Sequence, residues 1–390
     1  MTTTPNLLYS DVEDQLRASV RDLLAVRSPA STVLARCESE SWYDTELWRT
    51  LAAQVGVVGL LAHDLDETGG TAREVAVVME ELGASLAPVP FLGSAVLATT
   101  ALRNLPAADD TLAALAAGNC VGTLAIPLST APNQPFPTTV TRISDTLDGR
   151  VTSVVDLPIA DVIVVPALGP DGPELHLIDT TAPGVHITPV TTLDLTRRLA
   201  DLDLTEVSAR IVAGPDLAES SLQTALSTGA ALLASEQVGL SERCLTSTVE
   251  YTRTRIQFGR PIGSFQAVRH RLADAWIEVV SARAAARAAA DAIATAAPDS
   301  PLLTALAQAH CSTVAVSAAE TMIQLHGGIG MTWEHPTHLY LGRAKSAALS
   351  LGTPAEHRRQ LAVHAGLPTP NPRPPSQRPP SDGGVPRHLP

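Results

Sequence analysis

The hydrophobic period changes twice along the chain, and that double change constrains the fold more than any other feature. Up to about residue 115 the apolar residues recur at three- and four-residue intervals. Leu16, Val20, Leu23 and Leu24 follow Ser10, and Val75, Val78, Met79 and Leu82 follow Thr71 and end at Gly83, the spacing of one face of an amphipathic helix. Ser10–Glu13 and Thr71–Glu74 match the capping-box pattern, in which side chains satisfy the free N–H groups of a helix start. Trp48, Leu51 and Val55, and the run from Val96 to Leu102, predict two more helices. From Val121 the pattern becomes short β-rich runs broken by Pro, Gly and Asp: Val121 to Ile126, Thr138 to Ile143, Val151 to Val155, Val162 to Val165, Leu175 to Ile178 and Ala209 to Val212. Asp148-Gly149 reads as a hairpin turn, and Ala160-Asp161 opens the next strand. After Pro215 helical spacing returns over 217–256, 264–296, 300–325 and 336–350, which predicts an up-down bundle.

The expected fold is therefore α+β: an N-terminal helical domain over 6–118, a middle β-barrel or sandwich domain over 119–214, and a C-terminal four-helix bundle over 215–366. Residues 367–390 hold prolines from Pro368 to Pro390 and read as a disordered tail, with a polyproline ligand as the second reading.

Composition narrows the partners. The chain has 390 residues, enough for two or three domains, and 27 Lys and Arg against 40 Asp and Glu give a formal net charge of −13; such a surface is not built for nucleic acid or an anionic membrane. Lys345 is the sole lysine, so the arginine excess follows base composition and only arginines placed by a motif carry information. Cys37, Cys120, Cys244 and Cys311 form no Cys-x-x-Cys, which points away from zinc and disulfides and toward the cytoplasm. No uncharged apolar run of about 18 residues and no leader-like start is read, so neither a membrane span nor a signal peptide is expected.

Two dense motifs lie in the third part. The first runs Tyr251-Thr-Arg-Thr-Arg255-Ile-Gln-Phe258-Gly259-Arg-Pro261-Ile-Gly263-Ser264-Phe265-Gln266. Its Gly-Arg-Pro-Ile-Gly stretch breaks a helix, Ser264 is placed to cap the next, and an Arg, an aromatic and a Gln converge on one corner suited to pyrophosphate and a ring. The second runs Gln324-Leu-His326-Gly327-Gly328-Ile-Gly330-Met-Thr-Trp333-Glu334-His335-Pro336-Thr-His338, where glycines let backbone N–H groups approach an anion. Each alone is most simply a structural helix–loop–helix corner. His326, His335 and His338 lack a carboxylate at metalloenzyme spacing, so they read as helix-end and loop groups and no metal is expected. Glu334 reads as structural, and Asp274, Arg283 and Arg343 as interhelical or interface ion-pair residues.

Taken together, the two motifs and the helix–β–helix order resemble the acyl-CoA dehydrogenase family of flavoproteins over about residues 8–365. The resemblance implies FAD at a subunit interface and α,β-dehydrogenation of an acyl-CoA, with a carboxylate taking the α-proton. It assigns Arg255, Phe258, Gln266, Gln324, Gly327 and Gly328, with Thr353 of the late Gly352-Thr353 pair, to cofactor binding. It further implies a tetramer and an electron-transfer flavoprotein as electron acceptor.

The departures are as specific as the matches. The family's usual base, a Glu before a late Gly-Thr, corresponds to Leu351, and the alternative base position on the long helix corresponds to Gly229. Leucine cannot take a proton, and general-base catalysis supplies roughly 10²–10⁴-fold. The Gly-, Ser- and Asp-rich turn and the Trp-Ile-Thr-Asn-like strand that hold the isoalloxazine in relatives are replaced here by Ala125 to Pro135 and by Asp148 to Asp161. Two readings follow. In one, the chain donates the adenosine and pyrophosphate half of an FAD site to a second, catalytic acyl-CoA dehydrogenase-like chain. In the other it is a self-sufficient homo-oligomer with a relocated base, Glu236, roughly 10 Å along the helix from Gly229 and otherwise a helix-surface carboxylate. The first is preferred, because every retained motif belongs to the half given in trans and every lost one to the half used in cis. Small residues at Ser227, Gly229, Ala230 and Ala231 suit a bulky acyl group, and the resemblance adds heteromeric members that act on steroid side chains; whether the acyl chain is fatty, branched or steroid-derived is not read from the sequence.

Overall fold

A computed structural model describes residues 4–62 and 70–367. The expected tail lies, from Pro368 onward, outside the described residues. Among the described residues the N-terminal part is helical: α1 (Asp11–Arg27), α2 (Ala30–Cys37), α3 (Thr45–Thr50), α4 (Ala72–Ser85), α5 (Thr99–Leu102) and α6 (Asp109–Ala116). Both capping boxes form, Ser10 with Glu13 on α1 and Thr71 with Glu74 on α4. α3 continues as a π-helical turn, Leu51–Val55, and a second π-helical segment, Phe91–Ala98, feeds α5. Trp48, Leu51, Val78, Met79 and Leu97 form a core shared with the long helix that follows the sheet; burying each large apolar side chain contributes about 1.5–3 kcal/mol.

The middle part is one eight-stranded sheet: β1 (Gly122–Leu124), β2 (Val140–Ile143), β3 (Thr146–Val155), β4 (Val162–Gly169), β5 (Gly172–Asp179), β6 (Val185–Val190), β7 (Leu199–Ser208) and β8 (Arg210–Ala213). The order is β6-β7-β3-β2-β4-β5-β8, with β1 parallel to β4. Along β4 the period of two divides the cores: Ile163 and Val165 join Val140, Val151 and Leu202, while Val164 joins the helical core. Burial on both faces explains why this strand reads as a continuous apolar run. β6 and β7 were not expected. β7 alternates buried Ala200, Leu202 and Leu204 with Asp201 and Asp203, so its period is β-like but its β-branched residues, Thr205 and Val207, come only near its end; β6 is an edge strand that contains Pro189.

The hairpin expected at Asp148-Gly149 is corrected. Gly149 pairs with Val140 inside β3, and the turn is Ser144-Asp145, between the paired Ile143 and Thr146. At Gly149 (φ 149°) a Cβ would collide with the Thr139 carbonyl, so the glycine serves close strand approach.

The C-terminal part holds α7 (Pro215–Thr254), a small ribbon of β9 (Ile256–Gln257) and β10 (Arg260–Pro261), then α8 (Gln266–Ala294), α9 (Ser300–His326), α10 (Thr337–Ala347) and α11 (Pro354–His364). α7 spans the molecule, its N-terminal half against the first helices and its C-terminal half in the bundle. It crosses α4 at two glycines: a Cβ on Gly83 would strike the Glu236 carbonyl, and one on Gly239 the Glu80 carbonyl. α11, unexpected from the sequence, adds a fifth helix capped by Thr353.

The expectation of no uncharged apolar run also fails. Ser300 to Ala319 carries no Asp, Glu, Lys or Arg, and Ser300–Met331 is long and apolar enough to cross a membrane by length and composition. Here it packs between α7, α8 and α11. Gln308 Nε2 donates to Ala230 O at 2.5 Å and Gln237 Nε2 to Ser312 Oγ at 3.0 Å, the contacts of a bundle-core helix.

Candidate functional site

α7 stops where Arg255 leaves the helix, its N–H still donating to Tyr251 O at 2.9 Å. The chain then reverses through Phe258 (φ 51°) and Gly259 (φ 74°), the two positive-φ residues that a primed hairpin turn between Gln257 and Arg260 requires. Glycine adopts this freely, whereas a phenylalanine there is strained by about 1–2 kcal/mol, and its ring is 92% exposed. Backbone strain of this kind clusters at functional sites. The Arg260 guanidinium sits 4.0 Å over the Phe265 ring and holds the corner together. Gln266, exposed, is the first residue of α8. Ser264 does not cap α8 as expected: it lies in a 3₁₀ turn, Phe265 takes the cap position, and the Ser264 hydroxyl has no hydrogen-bond partner.

The second motif begins where α9 ends. Gly327 (φ 63°) turns the chain, Gly330 packs against Ile323 and His326, and Thr337 Oγ1 donates to Gly330 O at 2.8 Å. Gln324, Gly327 and Gly328 are exposed, and nothing lies within 4 Å of where a Cβ on either glycine would stand. The two motifs meet through side chains the sequence reading had not assigned to the site. The Tyr251 ring stacks on His326 (centroids 4.3 Å apart, planes at 19°), and the Tyr251 hydroxyl donates to His326 O at 3.3 Å. Tyr251 stands one turn before Arg255, and His326 immediately precedes Gly327; that adjacency was the available signal. Burial holds the His326, His335 and His338 imidazoles below their usual pKa and so favours their neutral form. No group of three or more His, Cys, Asp or Glu among the described residues could hold a metal.

The two positions of a family base converge elsewhere. A Cβ on Gly229 would stand 2.5 Å from Leu97 Cδ2 and 3.1 Å from Leu351 Cδ1, and Leu351 is fully buried. At Gly229 itself there is no room for the bulky acyl group that the small residues suggested, because Leu97 and Leu351 fill the space there. Leu351 N donates to Leu128 O at 2.7 Å, and Leu128 N donates to Ser153 O at 3.1 Å. These bonds join three segments: the turn after β1, the bulged middle of β3 and the Leu351 position. The next stretch of that turn is bolted down as well. Asn133 N donates to Gln223 Oε1 at 2.8 Å, Gln223 Nε2 to Gln134 O at 2.9 Å, and Gln360 Nε2 to Pro132 O at 3.0 Å. Thr353 belongs to this closed side, its hydroxyl accepting from Glu356 N at 3.3 Å and donating to Glu356 Oε2 at 2.7 Å.

Glu236 is not the surface carboxylate that the sequence suggested. It is buried against Arg197 and Arg343, with Arg343 Nη1 3.1 Å away and Arg343 Nε 2.8 Å from Asp194. Burial would raise its carboxyl, but the two guanidiniums outweigh that and hold it below the usual carboxylate range. Arg343 is thus an ion-pair residue as expected, and Arg283 pairs with Glu242 across α8 and α7 at 2.8 Å.

The exposed corner fits one end of FAD. It offers an unobstructed glycine turn, an exposed aromatic and the exposed Arg255 at the end of α7. The other side does not offer the same fit: the stretches that the resemblance places at the isoalloxazine bond one another and Leu351 through Leu128 and Ser153, and Leu97 and Leu351 fill the space at Gly229.

The family model described as "Acyl-CoA dehydrogenase, C-terminal domain" matches residues 220–366. The chain is 36% identical over 347 residues to Acyl-CoA dehydrogenase IpdE2 of Mycobacterium tuberculosis, covering 89% of this chain and 95% of that protein. It is likewise 36% identical to IpdE2 of Mycolicibacterium smegmatis, over 90% of this chain and 98% of the relative. Among solved structures, the ChsE4-ChsE5 complex from Mycobacterium tuberculosis superposes with a TM-score of 0.80 at 29% identity, covering 94% of this chain and 100% of that one. A variant of the Tcur3481-Tcur3483 steroid ACAD gives 0.80 at 29% identity, over 91% and 98%. The protein belongs to the acyl-CoA dehydrogenase family, whose cofactor is FAD.

Proposed function

We propose that this chain is the subunit of a heteromeric acyl-CoA dehydrogenase that donates the adenosine and pyrophosphate half of an FAD site to a catalytic partner chain. The observation that carries the reading is the closure of the chain's own half-site: Leu97 and Leu351 fill the space at Gly229, and Leu128 bonds both Ser153 and Leu351. In the assembled site Arg255 binds the pyrophosphate, Phe258 covers the adenine, and the amides around Gly327 and Gly328 hold phosphate oxygens, with Gln266 and Gln324 beside them. When bound, FAD supplies acceptance of a hydride from the acyl β-carbon; the partner's carboxylate takes the α-proton. This chain's residues orient the cofactor and move no proton.

The alternative, Glu236 as a relocated base, has its ion pairs against it: a carboxylate clamped by two arginines is a weak proton acceptor. The same proposal includes a tetramer, an electron-transfer flavoprotein as acceptor and a cytoplasmic location, in keeping with four unpaired thiols. The resemblance to a steroid ACAD makes a steroid-derived acyl-CoA the first substrate to assay. Co-expression with a second family member that carries the missing Glu tests the reading. About one FAD per heterodimer supports it; stoichiometric FAD and turnover in the pure homo-oligomer, abolished by Glu236→Gln, supports the alternative.

A further inference from the structure

The Tyr251–His326 stack joins the two ends of the exposed corner, and nothing in the family reading explains it. Each partner is tied to its own motif. Tyr251 O accepts from Arg255 N at 2.9 Å, so the ring stands one turn behind the guanidinium. His326 is 4% exposed, donates from Nδ1 to Met322 O at 2.7 Å and is the last residue before the Gly327 turn. A second imidazole, His335, leans on His326 with ring centroids 4.8 Å apart, and its Nδ1 accepts from Thr337 N at 3.4 Å. Thr337 in turn donates to Gly330 O. The glycine turn, flexible by composition, is thus held at His326 by an aromatic stack and at Gly330 by a hydroxyl.

Resting on the FAD-donor reading above, we propose that Tyr251 and His326 are positioning residues that fix the glycine turn Gly327–Gly330 relative to Arg255, so that both motifs grip the adenosine end of FAD together. Aromatic pairs of this kind add to burial beyond area alone. Without the stack, the glycine turn keeps its sequence but loses its register against the α7 terminus, and FAD then loses the simultaneous grip of the amides and the guanidinium. Neither residue touches the reacting atoms, so the effect falls on cofactor retention and leaves the chemistry of a bound flavin unchanged.

The test uses the assembled complex of this chain with its catalytic partner, carrying Tyr251→Leu, Tyr251→Phe or Arg255→Ala in this chain. FAD dissociation is followed by flavin fluorescence, with turnover measured per bound flavin at saturating acyl-CoA. Tyr251→Leu is expected to raise the FAD dissociation constant about tenfold with turnover per bound flavin unchanged. Tyr251→Phe keeps the stack and loses only the long hydrogen bond, so it is expected to stay within about threefold of the parent. Wild-type FAD retention in a Tyr251→Leu complex, with Arg255→Ala releasing FAD, overturns the brace and leaves the donor reading standing. Wild-type retention in the Arg255→Ala complex as well overturns the donor reading itself. If Tyr251→Leu fails to assemble, Tyr251→Phe losing FAD as strongly as Arg255→Ala overturns the stack as the operative contact.

Discussion

Arg255 and Leu351 carry the two halves of the argument at the scale of single residues. Arg255 is exposed at the end of α7, so Arg255→Ala is expected to leave this chain's melting temperature within about a degree while weakening FAD retention by the complex; charge-assisted hydrogen bonds of this kind are worth roughly 1.5–3 kcal/mol. Leu351→Glu restores the family's base in letter only. The side chain is fully buried beside Leu97 and Gly229, so an unpaired carboxyl there is expected to cost roughly 3–5 kcal/mol and lower the urea midpoint without conferring dehydrogenase activity. Activity in the purified Leu351→Glu chain would contradict the closed half-site. Asp156 gives a pH-dependent check. Burial pushes its carboxyl up to about 6, opposed by Arg197 and by the Gly93 N–H it accepts. Between the unfolded value near 3.8 and about 6 the folded chain binds the extra proton, so stability is lost as pH rises through that window. Asp156→Asn is expected to stabilise by roughly 1–3 kcal/mol at pH 7, with the gain shrinking by pH 4.5, as read by urea unfolding at the two pH values. The end of a long helix at Arg255 and the glycine turn after the next long helices were legible in the sequence. Glu236 was not: nothing in its helical spacing announces Arg197 and Arg343, which arrive from a loop before β7 and from α10.

The helices were more legible than the strands, for a physical reason. A helix writes its period and caps locally, as at Ser10 and Thr71, whereas a strand's partner lies elsewhere in the chain. β7 was missed because over its first six residues the inward ones are Ala and Leu and two of the outward ones Asp, and Asp148-Gly149 was misread because glycine for close approach looks the same in sequence as glycine for a turn. The α4–α7 crossing was equally invisible. Gly239 meets the Glu80 backbone there, so Gly239→Ala must push the helices apart and is expected to cost about 1–3 kcal/mol, although alanine is the better helix former. Thermal unfolding checks the sign: a rise in melting temperature would mean the crossing is looser than the structure shows.

In the proposed reading the molecule as a whole is a scaffold that presents one exposed corner and fills the space at its two family base positions. On that reading packing couples the two departures: Leu351 bonds Leu128, Leu128 bonds Ser153, and Leu97 and Leu351 fill the space at Gly229. That coupling could not be read from the sequence, which shows only that side chains are missing, not that the space has closed. Flavin stoichiometry addresses it most directly. The chain is purified alone and again after co-expression with a catalytic family member, and FAD is measured per polypeptide in each. A chain without FAD when alone and about one FAD per heterodimer is the expected pair of values; one FAD per copy in the isolated chain would contradict the closed half-site and the donor role together.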